Sequence, residues 1–185
     1  MFVQPSDRQL VDKVQSGDLD ALGVLYERHK LCLYRTALAI TNDSSAAEDI
    51  LQDCFLRLHR YARNMDRSLP LQPWLYRVAI NLAYNWEKSK KNEQTVDRLS
   101  ELIHYPLERR VKEKDVQGEV MDAISSLDTS QRVVVVLFYL NSFSVQEIAS
   151  ILGCPVGAVQ ARLNYGRENL RRALESRFEV PAKMI

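Results

Sequence analysis

The side chains best suited to chemistry lie near the carboxyl end of the chain, between residues 156 and 174. Gln160 and Asn164 carry amides that can each pair with adenine through two hydrogen bonds, and Ala161 can touch a thymine methyl group. Cationic side chains that can reach phosphates share this stretch: Arg162, Arg167, Arg171 and Arg172. The combination favours recognition of duplex DNA over the alternative, a structural helical hairpin with a solvated face.

Two short helices joined by a tight turn are predicted to position these side chains. Ser144 and Glu147 have the spacing of a capping box, which predicts the start of the first helix. Gly153 is suited to end that helix, and Pro155 to begin the next. Apolar residues at helical spacing then predict a buried seam: Val156, Val159, Leu163, Leu170 and Leu174. The pattern indicates a helix-turn-helix, whose second helix enters the major groove.

Composition indicates an all-α protein with one large or two small domains. The chain has 185 residues, is 46% hydrophobic and contains only six glycines and six prolines. Its formal net charge is +1, so the basic groups are local and the isolated chain should bind DNA weakly. No signal peptide and no membrane-spanning apolar run are recognised, so we expect a cytoplasmic protein that does not insert into membranes.

Nothing in the sequence predicts catalysis, a metal or a cofactor. The three cysteines are far apart and the three histidines are scattered, which argues against a disulfide framework or a zinc site. Cys32 and Cys54 fall in apolar helical runs and are predicted to be core thiols. No nucleophile–base pair or phosphate-binding loop is recognised, which argues against an enzyme.

Apolar periodicity predicts helices ahead of the helix-turn-helix. They are expected over about 7–15, 18–39, 44–64 and 73–90, the third capped by Ser44 or Ser45 with Glu48. Residues 1–91 would form a first domain. The charged stretch 92–115 would be a flexible linker with one short helix near 96–103. Residues 116–178 would form a second domain, followed by a tail at 179–185.

The second domain is predicted to begin with a helix at 116–127. Asp128 or Thr129 would cap the next helix, which carries four successive valines. Such a run can indicate a strand, but a buried helix is favoured because no partner strand is visible.

The third helix has two different sides. Its core side is predicted to contain Ala47, Ile50, Leu51, Cys54, Leu58 and Tyr61. Its other side combines acidic and amide groups with an exposed leucine: Asp49, Gln52, Asp53 and Leu56. Such a pattern is more commonly ordinary solvated helix surface. The functional alternative is a face that docks a protein, since DNA would be repelled.

The helix from residue 73 is also two-sided. One seam is apolar: Leu75, Val78, Ala79, Leu82 and Trp86. The opposite side carries amide, aromatic and cationic groups: Arg77, Asn81, Tyr84, Asn85 and Lys88. Such groups suit single-stranded nucleic acid, through stacking and phosphate contacts, but they also suit a plain polar surface. Periodicity alone leaves both interpretations open.

Two separate segments resemble one family, the bacterial extracytoplasmic-function (ECF) sigma factors of RNA polymerase. AEDILQDCFLRLHRY and PWLYRVAINLAYNW resemble the family's region 2, and LDTSQRVVVVLFYLNSFSVQEIASILGCPVGAVQARLNYGRENLRRAL resembles its region 4. The resemblance implies a region 2 helical bundle and a region 4 helix-turn-helix joined by a flexible linker, without enzymatic activity. It also implies three partners, which are the polymerase core, promoter DNA and an anti-sigma factor.

Carried over by position, the resemblance assigns a role to each surface. The clamp coiled coil of the polymerase would be met by Asp49, Gln52, Asp53 and Leu56. A flipped-out base of the −10 element would be captured by the loop from Asn64 to Leu69, with Asn64, Asp66, Arg67 and Ser68. The adjacent unpaired strand would be held by Arg77, Asn81, Asn85 and Lys88. The −35 duplex would be bound by Gln160, Ala161, Arg162, Asn164 and Arg167. Residues 92–115 would thread toward the polymerase active cleft.

The chain departs from the family pattern at three places. Residues 158–161 read Ala-Val-Gln-Ala where Thr-Val-Lys/Arg-Ser is usual, Tyr165 replaces a basic residue, and Ile80 stands where many members have arginine. These changes remove polar or charged groups and alter the expected −35 sequence. Two other functions remain open, namely a sigma mimic that sequesters an anti-sigma factor, and a helix-turn-helix regulator that dimerises on a palindrome.

Overall fold

The computed structural model describes residues 5–66, 69–100 and 116–176, with the backbone alone for 91–100 and 116–117. Among these residues every regular element is helical, which confirms the predicted all-α class. The elements are α1 (Asp7–Gln15), α2 (Leu19–Thr41), α3 (Ser44–Tyr61), a 3-10 turn (Ala62–Asn64), α4 (Leu71–Ser100), α5 (Val116–Ser125), α6 (Thr129–Tyr139), α7 (Val145–Leu152) and α8 (Val156–Glu175).

The first four helices form an amino-terminal unit around the long helix α2. Fully buried leucine and isoleucine side chains from three of its helices fill the core: Leu25, Leu33, Ile40, Leu58 and Leu75. Polar caps begin the helices, because a side-chain oxygen there accepts from an otherwise unpaired backbone N–H. Asp18 accepts from Ala21 and starts α2. For α3 the predicted cap is wrong, since Asp43 accepts from Ala46 at 3.0 Å, one residue earlier than expected.

The last four helices form a carboxyl-terminal unit around α6. Its four valines, Val133 to Val136, are each at most 2% exposed. They can all be buried in a helix because α6 packs against α2, α7 and α8 on different sides. The favoured interpretation of this run as a buried helix is therefore confirmed, and the Asp128 side chain caps the helix.

Several local expectations need correction. Helix α4 continues to Ser100, ten residues beyond its predicted end near residue 90. Residues 101–115 and the predicted tail lie outside the described residues. Cys32 is exposed, because its side chain falls off the apolar stripe of α2. Cys54 is buried as predicted, and burial raises the pKa of its thiol to about 12. Val156 is 38% exposed at the first turn of α8, and does not belong to the seam.

The two units are in direct contact. Helix α2 packs on α5 and α6, and α4 packs on α7. The polar linker predicted between the units favours independent bodies. Partly buried hydrogen bonds nevertheless join the units, including one from Asn141 to Tyr76 at 2.9 Å. Polar side chains of one unit therefore have hydrogen-bond partners in the other unit.

Candidate functional site

The predicted docking residues of α3 lie together on one outward side of the helix. Asp49, Gln52 and Asp53 are exposed, and Leu56 is 44% exposed, while the opposite side of α3 is buried. Tyr61 is 57% exposed and is not part of the core as predicted. The helix therefore presents carboxylates and an apolar side chain to a partner.

An apolar cavity of about 630 Å³ opens beside this docking face. Gln52 and Leu56 belong both to the face and to the cavity lining, which α2 completes with Leu19, Leu22 and Tyr26. The Tyr26 ring meets Phe55 edge-on, with ring centroids 5.0 Å apart. Periodicity within α3 could not reveal this cavity, because four of its ten lining residues belong to α2.

The loop after α3 borders a second cavity, of about 560 Å³. Its lining includes Asn64, Asp66, Tyr61, Trp74 and Arg77. It thus combines aromatic rings with amide, carboxylate and guanidinium groups, which are the means by which proteins hold a base removed from its stack. The predicted −10 residues Arg67 and Ser68 lie outside the described residues.

Three more predicted residues continue along α4. Asn81, Asn85 and Lys88 are all exposed, and their spacing places them on one side of the helix. Tyr84 is only half-exposed, and burial raises the pKa of its phenol. Ile80 is 1% exposed. The isoleucine that stands in place of the family's arginine is therefore a core residue in this chain.

The helix-turn-helix forms as the sequence predicts. The Ser144 N–H donates to Glu147 Oε2 at 2.8 Å, and Glu147 N–H donates to Ser144 Oγ at 3.3 Å, which is the capping box. Gly153 ends α7 with φ of 62°, a left-handed conformation that favours glycine. The turn fixes the direction in which α8 leaves α7.

Helix α8 presents the predicted base-reading residues to solvent. Gln160, Ala161 and Asn164 are exposed, while Val159 and Leu163 are buried on the other side. Tyr165 is 67% exposed beside them. The side chains that could enter a groove therefore lie on the first turns of α8, opposite its packing face.

The cations of α8 differ in how freely they can meet a phosphate. Arg167 Nε donates to the Tyr139 hydroxyl at 2.8 Å, and its guanidinium lies 5.2 Å from the centre of the Phe138 ring. Arg171 and Arg172 instead form ion pairs within α8. The hydrogen bond from Arg171 lowers the pKa of Glu168. These ion pairs therefore compete with the phosphate contacts predicted for Arg171 and Arg172.

Sequence reasoning missed a buried ion pair. Arg132 of α6 is 7% exposed, and its Nη1 lies 3.3 Å from Oε1 of Glu87 on α4. The available signal was the single charge ahead of the four valines, since buried charges are expected to be paired. Its partner could not be found, because Glu87 lies on a helix of the other unit.

Within the described part of the chain, no three His, Cys, Asp or Glu side chains gather as a metal site would require. The same residues include no helix with the length and apolar character needed to cross a membrane.

Two family models match the two units in order. The model for Sigma-70 region 2 matches residues 25–93, and the model for Sigma-70 region 4 matches residues 117–170. The fold and the arrangement of its surfaces therefore define a sigma factor of the sigma-70 class.

Similar proteins narrow this class. RNA polymerase sigma-H factor of Pseudomonas aeruginosa is 28% identical, covering 95% of this chain and 97% of that protein. ECF RNA polymerase sigma factor SigM of Mycobacterium tuberculosis is 30% identical, covering 91% and 85%. The sigma factor RpoE of Bartonella quintana, solved with the anti-sigma factor NepR, shares the fold with a TM-score of 0.63 at 22% identity, covering 80% of this chain and 95% of that one. The chain belongs to the ECF sigma factors of RNA polymerase.

Proposed function

We propose that this chain acts in the cytoplasm as a promoter-specificity subunit, which brings core RNA polymerase to its promoters and helps melt the −10 element. It performs no chemical step itself. The observation that carries the proposal is the exposure of three predicted binding surfaces, on α3, α4 and α8, each opposite a buried packing side. Each surface has the chemistry that its expected partner requires.

The α3 face is assigned to the polymerase. Asp49 and Asp53 give it a negative charge that would repel DNA but can attract a basic protein surface. Leu56 adds apolar contact area next to these charges. An acidic face with an apolar centre suits a protein partner, because charge orients the encounter and apolar burial holds the complex.

The cavity beside Trp74 and the exposed side of α4 are assigned to the −10 element. A base removed from the duplex would meet the rings and polar groups of the cavity, with Asn64 and Asp66 at its edge. Asn81, Asn85 and Lys88 would contact the strand that continues from it. These groups bind unpaired bases and phosphates, so they stabilise DNA that has begun to melt.

The exposed side of α8 is assigned to the −35 duplex. Gln160 and Asn164 can read base edges, and Ala161 leaves space for a thymine methyl group. Arg162 and Arg167 would contact phosphates on either side. Since Gln160 carries no charge, this chain should depend more on base recognition at that position than relatives with a cation there.

We also propose control by an anti-sigma factor. The support is the family resemblance together with the apolar cavity between α2 and α3, whose rim shares Gln52 and Leu56 with the docking face. A protein segment seated there would cover residues assigned to the polymerase. Inhibition would then follow from direct competition for one surface.

The proposal is tested by selecting DNA with the assembled holoenzyme. The chain is mixed with core RNA polymerase and a random duplex library, and retained DNA is sequenced. A sigma factor should enrich two sequence blocks at a fixed spacing, which core polymerase alone does not enrich. A sigma mimic would enrich neither block, and a dimeric helix-turn-helix regulator would enrich a palindrome without needing polymerase.

A further inference from the structure

The guanidinium of Arg77, one of the residues assigned to the −10 strand, is hydrogen-bonded to the other unit. Its Nε donates to the Ile151 carbonyl oxygen at 3.0 Å, and a second guanidinium nitrogen donates to the Ser150 carbonyl. These carbonyls lie in the last turn of α7, where backbone oxygens have no partner inside the helix and carry the negative end of its dipole. The guanidinium of Arg77 therefore caps α7.

Helix α7 also reaches the cavity assigned to the flipped base. Ser150 lines that cavity together with Trp74 and Arg77. Arg162 of α8 lies near Tyr84 of α4, and its positive charge acts to lower the pKa of the Tyr84 phenol. Burial has the larger effect and raises that pKa. Two of the assigned DNA-binding arginines thus face the boundary between the units.

This arrangement cannot serve both promoter elements at once. Gln160 follows Ile151 by nine residues, so at most about 32 Å of backbone separates them, even when fully extended at roughly 3.6 Å per residue. The −10 and −35 elements are about 25 base pairs apart by their names, or roughly 85 Å at about 3.4 Å per base pair. While Arg77 holds Ile151, α4 and α8 cannot span that distance.

A buried ion pair holds the units together at a second point. Arg132 Nη1 approaches Glu87 of α4 and donates to the Ile40 carbonyl of α2, while its Nη2 donates to carbonyls in its own unit. The Glu87 side chain is 15% exposed, and Thr129 also donates to it, at 3.4 Å. Separation of the units would remove Glu87 and the Ile40 carbonyl, two of the partners that offset the burial of Arg132.

A third contact joins Asn141 to the amino-terminal unit. Its Nδ2 donates to Thr36 Oγ1 at 3.0 Å and to the Tyr76 hydroxyl at 2.9 Å. Thr36 is 1% and Tyr76 is 2% exposed, and the Tyr76 ring meets Phe143 edge-on. A buried polar network completed across a boundary favours one defined docking geometry over a loose association.

We propose that the free chain is autoinhibited in this closed arrangement, with α7 occupying Arg77 and narrowing access to the −10 cavity until the units separate. The inference rests on the proposed binding of the −10 element and on the part that the family resemblance gives Arg77 in it. The α3 face stays exposed in the closed arrangement. Polymerase can therefore dock before DNA binds, and separation of the units is a later step.

The first test measures the shape of the full chain by small-angle X-ray scattering. Wild type should behave as one compact particle with a radius of gyration of about 16 Å. The double variant Glu87→Gln/Asn141→Ala should be larger and show two separated bodies. Asp20→Asn, which removes one negative charge from an exposed residue of α2, is the matched control and should scatter like wild type.

The second test measures binding of short, fluorescein-labelled single-stranded DNA of random sequence. The open double variant should bind about fivefold more tightly than wild type or Asp20→Asn, since it frees one charged contact. Adding Arg77→Ala should remove that gain. In the wild-type background Arg77→Ala should change the affinity little, because Arg77 is already occupied.

Circular dichroism shows whether the double variant is folded. If it is not, Glu87→Gln alone replaces it, since Glu87 accepts hydrogen bonds from Thr129 and Arg132 of the other unit. A wild-type chain already as extended as the variant would overturn the proposal. The proposal would also be overturned if wild type and the variant both scattered as compact particles of equal size. An equal effect of Arg77→Ala on DNA affinity in the two backgrounds would overturn it as well. Neither measurement uses polymerase, so failure of the selection experiment would count against the promoter function and not against closure.

Discussion

Gly166 of α8 lies so close to Val135 of α6 that a Cβ built on the glycine would stand 2.8 Å from Val135 Cγ2. Real Cβ atoms do not approach other atoms so closely, so this crossing depends on glycine. Gly166 is buried, and it follows the exposed Gln160 by six residues and the exposed Asn164 by two. The close approach therefore sets how α8 lies on its unit and which of its side chains face outward.

Gly166→Ala should destabilise the chain by about 1–3 kcal/mol, because the added methyl group overpacks the contact with Val135. The matched control is Gly157→Ala on the same helix, where an added Cβ meets nothing within 4 Å. Because alanine has a higher helix propensity than glycine, Gly157→Ala should raise the stability by up to about 1 kcal/mol. Urea unfolding of both variants gives the comparison, and equal stabilities would mean that α8 can shift away from α6 without cost.

Asp53→Arg should weaken binding to core RNA polymerase by about tenfold or more, because it places a like charge in the acidic docking face. Asp53 is exposed, so the fold should persist with an unchanged circular dichroism spectrum. Glu175→Arg makes the same charge change on α8 and should leave the affinity unchanged. If titration of labelled core polymerase gives one affinity for both variants, Asp53 is not in the interface.

Gln160→Ala should change the preferred −35 sequence, with a loss of about 1–3 kcal/mol at the matched base pair. Arg162→Ala should weaken binding to all sequences similarly and flatten the dependence on salt, because it removes a phosphate contact. Holoenzyme selection from templates with a randomised −35 element separates these effects. Identical preferences for wild type and Gln160→Ala would move the specificity to another residue, such as Asn164.

The capping box of α7 should be visible in a titration. Hydrogen bonds from the Ser144 side chain and then its backbone hold the pKa of the exposed Glu147 below its ordinary value of 4.5. A depressed folded-state pKa stabilises the protein above pH 4.5, and that contribution is lost as the pH falls through the folded value. Ser144→Ala should return the pKa toward 4.5, as followed by carboxyl-carbon NMR. An unchanged pKa would show that the box does not form in solution.

Local chemistry was enough to predict much of this fold. The capping box at Ser144, the left-handed Gly153 and the exposed side of α8 each follow from residues within a few positions of one another. The outward face of α3 follows equally from helical spacing. These are short-range relationships, in which sequence separation and spatial separation agree.

Relationships between distant helices could not be predicted in this way. Tyr61 fits the apolar period of α3, yet it borders the cavity formed with α4 and remains exposed. Ile80 was expected to mark a lost polar contact, but its side chain is buried in the core. Glu87 and Arg132 are 45 positions apart, and their pairing depends on how two units pack, which periodicity does not encode.

Run-off transcription tests the central claim most directly. Core polymerase is supplied with fragments carrying the two sequence blocks found by selection, with the chain present or omitted. Discrete transcripts that start downstream of the −10 block should appear only when the chain is present, and should fall with Asp53→Arg. A chain that binds core polymerase and both sequence blocks but yields no start site beyond those of core alone would contradict the claim.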